Sequence, residues 1–150
     1  MEPGQSSEQL MCINLQMLRA SHRVLKTYDD AYRPFGIRAT QLPVLSLIAQ
    51  GPATIRDIAE ETETERSVLS RKLQVMEKHG WIRRESLPGT KEKVYVLDAD
   101  GKDLLEKVMP VRIQVQQRLL EKLDTQEQQL LVGLCDKLKS ASEAIAGEEI

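Results

Sequence analysis

Long amphipathic segments at both ends of the chain place the strongest constraint on its fold. From about Ser7 to Tyr32, apolar residues recur at steps of three and four, which is the spacing of one helical face. The same spacing occurs twice between Asp100 and Ala146, with a break at Asp124 and Thr125. The three stripes are Leu10, Ile13, Met17, Ala20, Val24 and Ala31; Leu104, Val108, Val111, Val115 and Leu119; and Leu131, Leu134, Leu138, Ala141 and Ile145. These stripes predict three long helices, each with an apolar face to cover.

The sequence favours burial of these apolar faces against a second copy of the chain. A chain of 150 residues suits one compact domain, or one small domain with an accessory element, so its middle is too short to cover three stripes. Heptad-like steps favour helix-on-helix packing between copies. An intramolecular three-helix bundle is the alternative. At the start of the last helix, Thr125 and Gln128 have the spacing of a capping box.

Several classes of protein are disfavoured by the composition. Aromatic residues make up 3% of the chain, and an aliphatic core with few aromatic strand formers favours helices. No apolar run approaches the ~20 residues that span a bilayer, and the polar first ten residues lack a secretory signal, so a cytoplasmic protein is expected. His22 and His79 have no second ligand at metal spacing, and no catalytic set or phosphate-binding glycine loop is visible. We therefore expect neither an enzyme nor a bound cofactor or metal.

The middle of the chain, residues 37–97, predicts three short helices followed by a hairpin. The helices run from about Thr40 to Ala49, from a cap at Thr54 with Asp57 as reciprocal partner, and from about Glu65 to Lys78. The third is expected to turn Val68, Leu69, Leu73 and Met76 inward. Strands are predicted at Trp81–Ser86 and Lys93–Leu97 around the turn Leu87–Thr90. This order makes the chain a mostly α (α+β) protein with a winged helix-turn-helix and long terminal helices.

Charge is concentrated in one part of this middle segment. Residues 66–93 contain eight basic and three acidic side chains, whereas the whole chain has a net charge of −2. A basic island on an acidic body is typical of a double-stranded DNA-binding element. The face of the third helix opposite its apolar stripe, and the hairpin, supply the polar and basic candidates. They are Arg66, Ser67, Ser70, Arg71 and Gln74 on the helix, and Arg83, Arg84, Lys91 and Lys93 on the hairpin.

The order of these motifs resembles the MarR family of transcriptional regulators. The similar stretches are Ile58–Glu61, Glu65–Arg71, Met76–Arg84 and Val96–Gly101, with Thr40-Gln41 opening the first short helix. The resemblance implies a homodimer in which residues 1–36 and 98–150 form the dimerisation region, and each segment 37–97 binds half of a pseudo-palindromic operator. It implies that Thr40 and Thr54 lie at helix starts where backbone amides contact phosphates. It also implies a signal-responsive regulator, most commonly a repressor.

Three positions depart from the family pattern. Lys91 stands where the wing usually has an arginine, with Gly89 two residues earlier in place of an aspartate, so minor-groove contacts should be weaker. Glu63 stands where the turn between helices usually has a glycine, which argues against a tight turn. Asp98 replaces a threonine at the helix start after the wing and can cap it equally well.

The signal itself is predicted only by class. The family's effector cleft would draw here on His22, Tyr28 and Leu45, which suits a small aromatic carboxylate or phenol, although plain inter-helix packing is the simpler role. Cys12 and Cys135 are expected to be buried structural thiols. Two alternatives stay open: a redox-sensing regulator that acts through Cys12, and a dimeric helical module that binds protein.

Overall fold

The computed structural model describes residues 12–148, and it confirms a mostly helical winged fold. Within that range the helices are α1 (Ile13–Tyr32), α2 (Leu42–Ile48), α3 (Ile55–Thr62), α4 (Arg66–Lys78), α5 (Ala99–Leu120) and α6 (Thr125–Ile145). A 3₁₀ turn, Arg33–Phe35, follows α1, and the strands are β1 (Ile82–Ser86) and β2 (Lys93–Leu97). Leu10, the first residue of the predicted α1 stripe, lies outside the described residues. None of the helices described has both the length and the apolar character needed to cross a bilayer.

Side-chain caps fix the starts of α3 and α6. At α3 the predicted capping box is confirmed: the Asp57 amide donates to Thr54 Oγ1 and the Thr54 amide donates to the Asp57 carboxylate, each over 3.1 Å. At α6 the predicted pair Thr125–Gln128 is wrong by one residue. Asp124 has the extended conformation of an N-cap and forms the box with Glu127. The side chain of Gln128 instead donates to the carbonyls of Leu120 and Leu123.

The wing is an antiparallel hairpin, as its sequence predicts. Ile82 pairs with Leu97 at the base, and Ser86 pairs with Lys93 near the tip. Ala53 adds one bridge to the other side of β2 through two backbone hydrogen bonds with Tyr95. This bridge fixes the hairpin against the segment that immediately precedes α3.

One apolar core holds the winged helix together. It is lined by α2, α3, α4, both strands, the end of α1 and the first half of α5. On α4 the inward residues are Leu69, Leu73 and Met76, all fully buried. The sequence predicts Val68 among them, and this is wrong, because Val68 is 49% exposed. The reason is helical geometry: Val68 lies about 100° from Leu69, on the side away from Leu73.

A close helix contact seats α5 on the wing. A Cβ atom at Gly101 would collide with the Trp81 carbonyl oxygen and would lie 2.8 Å from Leu97 Cδ1. The Asp98 amide donates to the same carbonyl over 2.9 Å. Only glycine allows α5 to begin this close to the base of the hairpin.

The chain divides into two compact units, Met1–Arg112 and Ile113–Ile150. In the first, α1 is exposed from Ile13 to Val24 and becomes buried only at Tyr32. In the second, α6 has no buried residue. The expectation of buried thiols is wrong for the single chain, because Cys12 and Cys135 are both exposed, free cysteines.

Candidate nucleic-acid interface

The exposed face of α4 presents the polar side chains that the sequence predicts. Arg66, Ser67, Arg71 and Gln74 are exposed, and Ser70 is half-buried at the edge of the face. Because Leu69, Leu73 and Met76 fix the opposite face in the core, these side chains have one defined orientation. Such a face combines hydrogen-bonding groups for base edges with cations for phosphates.

A tight turn sets the position of α4 relative to α3. Glu63 adopts the left-handed conformation with φ +50°. The Thr64 amide donates to the Ala59 carbonyl and the Glu63 amide donates to the Glu60 carbonyl, which is the pattern of a Schellman motif. The turn is therefore tight despite the absence of a glycine. Glutamate occupies a backbone conformation that favours glycine, so the predicted loosening of this turn is wrong.

Thr54 positions the start of α3 rather than offering its side chain. It is 8% exposed, and both its hydroxyl and its amide are used in the capping box. The hydrogen bonds from Thr54 hold the pKa of Asp57 below its usual value. A phosphate at this helix start would meet the backbone amides that follow Thr54.

Thr40 does not lie at a helix start as predicted, because α2 begins at Leu42 and the Gln41 and Leu42 amides already donate to the Arg38 carbonyl. Thr40 is exposed in the turn before α2, and its backbone is tied to α4. Lys72 Nζ donates to the Thr40 carbonyl over 2.9 Å, and partial burial lowers the pKa of Lys72. On the other side of this turn, Asp29 of α1 accepts from the Ala39 amide over 2.7 Å and pairs with Arg38 over 3.1 Å. The sequence shows Lys72 only as one charge of the basic island, since nothing in it indicates a partner 32 residues away.

Most of the basic side chains on the hairpin already have partners. Arg83 pairs with Asp98 and Glu85, which raise its pKa. Arg84 pairs with Glu77 over 3.1 Å. Lys93 donates to Ser86 Oγ over 2.6 Å. Lys91 lies at the exposed wing tip, two residues after Gly89, whose φ is +78°.

Four cations of the basic island, residues 66–93, have no partner in the described part of the chain and are available to a polyanion. Within residues 12–148, no hydrogen bond or ion pair engages the side chains of Arg66, Arg71, Lys78 and Lys91. Three of these four lie on α4 and one lies at the wing tip. The site therefore has a cationic helix face and a separate cationic tip, and Arg84 and Lys93 become available to a phosphate only when their present contacts are exchanged.

The three predicted effector residues do not share one surface. His22 is exposed and lines a surface cavity of about 530 Å³ with Leu25, Lys26, Asp29, Asp30, Arg33, Gly36, Ile37 and Arg38. Tyr28 is half-buried beside Tyr32, with ring centroids 5.6 Å apart. Leu45 is fully buried in the core and presents no side-chain surface. The prediction that it lines a ligand cleft is therefore wrong, and its role is packing.

Comparison with known proteins identifies the family of this chain. Residues 35–91 match the model of the MarR family. The transcriptional regulator HosA of Escherichia coli is 32% identical over 104 residues, which cover 67% of this chain and 76% of HosA.

Solved structures of DNA-bound transcriptional regulators share the fold of this chain. The regulator MosR of Mycobacterium tuberculosis, in complex with DNA, has a TM-score of 0.82 and 27% identity, covering 90% of this chain and 98% of MosR. A MarR family regulator of Streptomyces coelicolor, also in complex with DNA, has the same fold, with a TM-score of 0.80, 20% identity, and coverage of 90% of each chain. With its winged helix and its basic α4 face, the chain belongs to the MarR family of DNA-binding transcriptional regulators.

Proposed function

We propose that this chain is a cytoplasmic, homodimeric, ligand-responsive repressor, without enzymatic activity, that binds a pseudo-palindromic operator. The observation that carries the proposal is the α4 face opposite the fully buried stripe, where Arg71 is exposed and unpaired within the described residues, with Arg66 exposed and unpaired in the first turn of the same helix. A helix anchored on one face by the core and basic on the other is suited to the major groove.

Each part of the interface has its own role. Ser67, Ser70, Arg71 and Gln74 on α4 contact base edges and adjoining phosphates. Arg66, the exposed Thr40 in the turn before α2, and the helix start at Thr54 contact phosphates. On the wing, Lys91 contacts phosphate as a flexible point charge, joined by Arg84 and Lys93.

The dimer forms through residues 1–36 and 98–150, and each winged-helix segment 37–97 binds one half-site. Large apolar side chains on α1 and α6 are 41–63% exposed in the single chain, which is costly unless a second copy covers them. These side chains are Ile13, Leu15, Met17, Leu18 and Val24 on α1, and Leu130, Leu131, Val132, Leu134, Leu138 and Ile145 on α6.

Two substitutions test the roles of helix and wing. Arg71→Ala should weaken operator binding by ~1–3 kcal/mol and reduce the ratio of specific to non-specific affinity. Lys91→Ala should weaken both kinds of binding by similar factors and flatten the dependence of log affinity on log salt by about one unit per half-site. Fluorescence anisotropy at several salt concentrations measures both effects. Salt-independent binding, or an unchanged affinity in Arg71→Ala, would instead favour a protein-binding winged module.

The cavity beside His22 is the proposed effector site. Its rim combines His22, Lys26, Arg33 and Arg38 with Asp29 and Asp30, which pair with the lysine and the two arginines. A small aromatic carboxylate or phenol would bind there by exchanging one of these ion pairs. The DNA binding of BpsR from Bordetella bronchiseptica, a protein of the same fold with 19% identity and a TM-score of 0.78, is regulated by 6-hydroxynicotinic acid. Calorimetry with salicylate and 6-hydroxynicotinate should detect binding that Arg38→Ala weakens. Equal heats for both proteins would contradict this location.

The exposure of Cys12 supports a second signal. An accessible thiol at the start of α1 can be oxidised, so peroxide would act through Cys12. DNA affinity should then fall on peroxide treatment in the native chain and not in Cys12→Ser. Cys135→Ser is the matched control, because Cys135 is equally free and exposed. Loss of affinity that persists in Cys12→Ser would exclude this mechanism.

A further inference from the structure

Two exposed valines on α4 have no role in the core. Val68 is 49% exposed and Val75 is 42% exposed, whereas Leu69, Leu73 and Met76 are fully buried. Val68 and Val75 are seven residues apart and therefore lie on the same flank of the helix. Arg71 separates this apolar flank from the polar flank that Ser67 and Gln74 occupy. The exposed face of α4 thus has an apolar side as well as a polar one.

The two valines differ in their position along the helix. Val68 lies in the first turn of α4, whereas Val75 lies about 10 Å further along it. The first turns of a recognition helix are the ones that contact base edges in the major groove. Val68 also has Ser67 beside it in sequence and Arg71 three residues on, so it lies among the polar candidates for base contact.

The major groove offers few surfaces that an apolar side chain can contact. The base edges present hydrogen-bond donors and acceptors, and the sugar-phosphate strands are charged. The apolar exception is the C5-methyl group, which thymine has and unmodified cytosine lacks. A valine held at the base edges therefore favours a thymine opposite it and disfavours a polar base edge, which it would leave desolvated and unpaired.

We propose that Val68 is a specificity-determining residue that packs against the C5-methyl group of a thymine in each operator half-site. The proposal rests on the proposed function, because it requires α4 to lie in the major groove of a specific sequence. Removal of the contacting methyl group, from Val68 or from the thymine, should weaken binding about fourfold per half-site, as expected for one buried methylene-sized group. Removal of both should cost no more than removal of one.

A double-mutant cycle between protein and DNA tests the proposal. The operator is first selected from random duplexes with the 150-residue chain. Each thymine of a half-site is then replaced by deoxyuridine, which removes only the methyl group, in both half-sites together. Anisotropy titrations compare the native chain, Val68→Ala and Val75→Ala on every duplex. Val75→Ala is the matched control, since it is the same change on the same flank of α4. Thermal melting checks that both variants keep their fold, as exposed valines in a helix allow.

We expect one thymine position at which deoxyuridine weakens the native chain and Val75→Ala about sixteenfold, fourfold for each half-site, and has no effect on Val68→Ala. Equal sensitivity of Val68→Ala and the native chain at every thymine would overturn the proposal, as would the absence of any sensitive thymine. Duplexes with 5-methylcytosine test the other source of the same group, and a response confined to them would overturn the assignment to thymine. If the native chain bound selected and scrambled duplexes equally, the proposed function as a sequence-specific regulator would be wrong, and the proposed role of Val68 would be wrong with it.

Discussion

Helices α4 and α6 have similar apolar stripes, but only the stripe on α4 is buried within the single chain. On α4, Leu69, Leu73 and Met76 are fully buried by the rest of the chain, whereas on α6 the residues Leu134 and Leu138 stay 54% and 41% exposed. The stripe on α4 is covered by local elements that follow each other closely in sequence. An amphipathic pattern therefore predicts that a helical face needs a cover, but does not predict which molecule provides it.

The difference has a thermodynamic consequence. The free energy of folding of the winged helix comes from contacts within one chain, so it should not depend on protein concentration. The stability of α6 in the proposed dimer would depend on concentration, because a second copy covers its apolar face. Substitutions on the two helices should thus be separable by whether they change folding or assembly.

The largest effect is expected from a charge on the apolar face of α6. Leu134→Glu removes an exposed leucine and would bury an unpaired carboxylate in each copy of the dimer, so dimer affinity should fall more than about a hundredfold. Light scattering should then give the 17.0 kDa mass of a single chain rather than twice that mass. Gln129→Glu is the control, because it adds the same charge to an exposed position of α6. A native chain that is already monomeric at micromolar concentration would contradict the proposed dimer.

The next effect contrasts a glycine in each unit of the chain. Gly101→Ala places a Cβ atom against the Trp81 carbonyl and Leu97, and should destabilise the fold by about 3 kcal/mol. At Gly133 of α6, an added Cβ atom would meet no side chain of the described residues within 4 Å, so Gly133→Ala should instead stabilise the helix by up to about 1 kcal/mol. Urea denaturation measures both. A loss of stability in Gly133→Ala would indicate that the second copy approaches α6 at that glycine.

The sequence predicts the elements of the winged helix well, because the signals there are local. The cap at Thr54, the inward residues Leu69 and Leu73, and the strand Lys93–Leu97 all follow from side chains within a few residues of one another. The errors in local structure are also small in scale. The cap of α6 lies at Asp124 rather than Thr125, and Val68 lies one step outside the inward stripe.

Contacts between distant residues could not be predicted in this way. The bond from Lys72 to the Thr40 carbonyl and the pair of Arg83 with Asp98 join residues 32 and 15 positions apart. The sequence shows the charge of such side chains but not their partners. It therefore does not show that Arg84 is paired with Glu77 whereas Lys91 has no partner within the described residues. The sequence misplaces Leu45 for the same reason, since an apolar residue suits both a core and a cleft.

A smaller effect is expected at the cap of α3, which belongs to the locally stabilised unit. Thr54→Ala removes the acceptor for the Asp57 amide and should cost about 1 kcal/mol in the free energy of unfolding, with no change in dimer affinity. Urea denaturation measures the first quantity and light scattering over a dilution series measures the second. A change in dimer affinity would show that the cap also supports assembly.

The same cap makes stability depend on pH. The hydrogen bonds from Thr54 lower the pKa of Asp57 from its ordinary value of 3.8, so its carboxylate stabilises the fold above that pH, and this contribution is lost as the pH falls through the lower, folded value. Urea denaturation at about pH 7 and about pH 3 should find Asp57→Asn less sensitive to acid than the native chain. Equal acid sensitivity would place the titrating group elsewhere.

The smallest effect is expected at Glu63, in the turn on which the position of α4 depends. Its φ of +50° costs a residue with a Cβ atom about 1 kcal/mol or more, and glycine avoids that cost while losing more chain entropy on folding. Glu63→Gly should therefore raise the free energy of unfolding by about 0.5–1 kcal/mol, as measured by urea denaturation. Glu63→Gln separates strain from charge, because it removes the carboxylate and keeps the Cβ atom. If Glu63→Gln gave the same gain, charge repulsion among Glu60, Glu61, Glu63 and Glu65 would be the cause, and the left-handed conformation would carry little strain. A gain confined to Glu63→Gly would mean that the left-handed conformation of Glu63 lowers the free energy of unfolding. The tight turn that positions α4 would then form at the expense of some stability, because it lacks the glycine that its conformation favours.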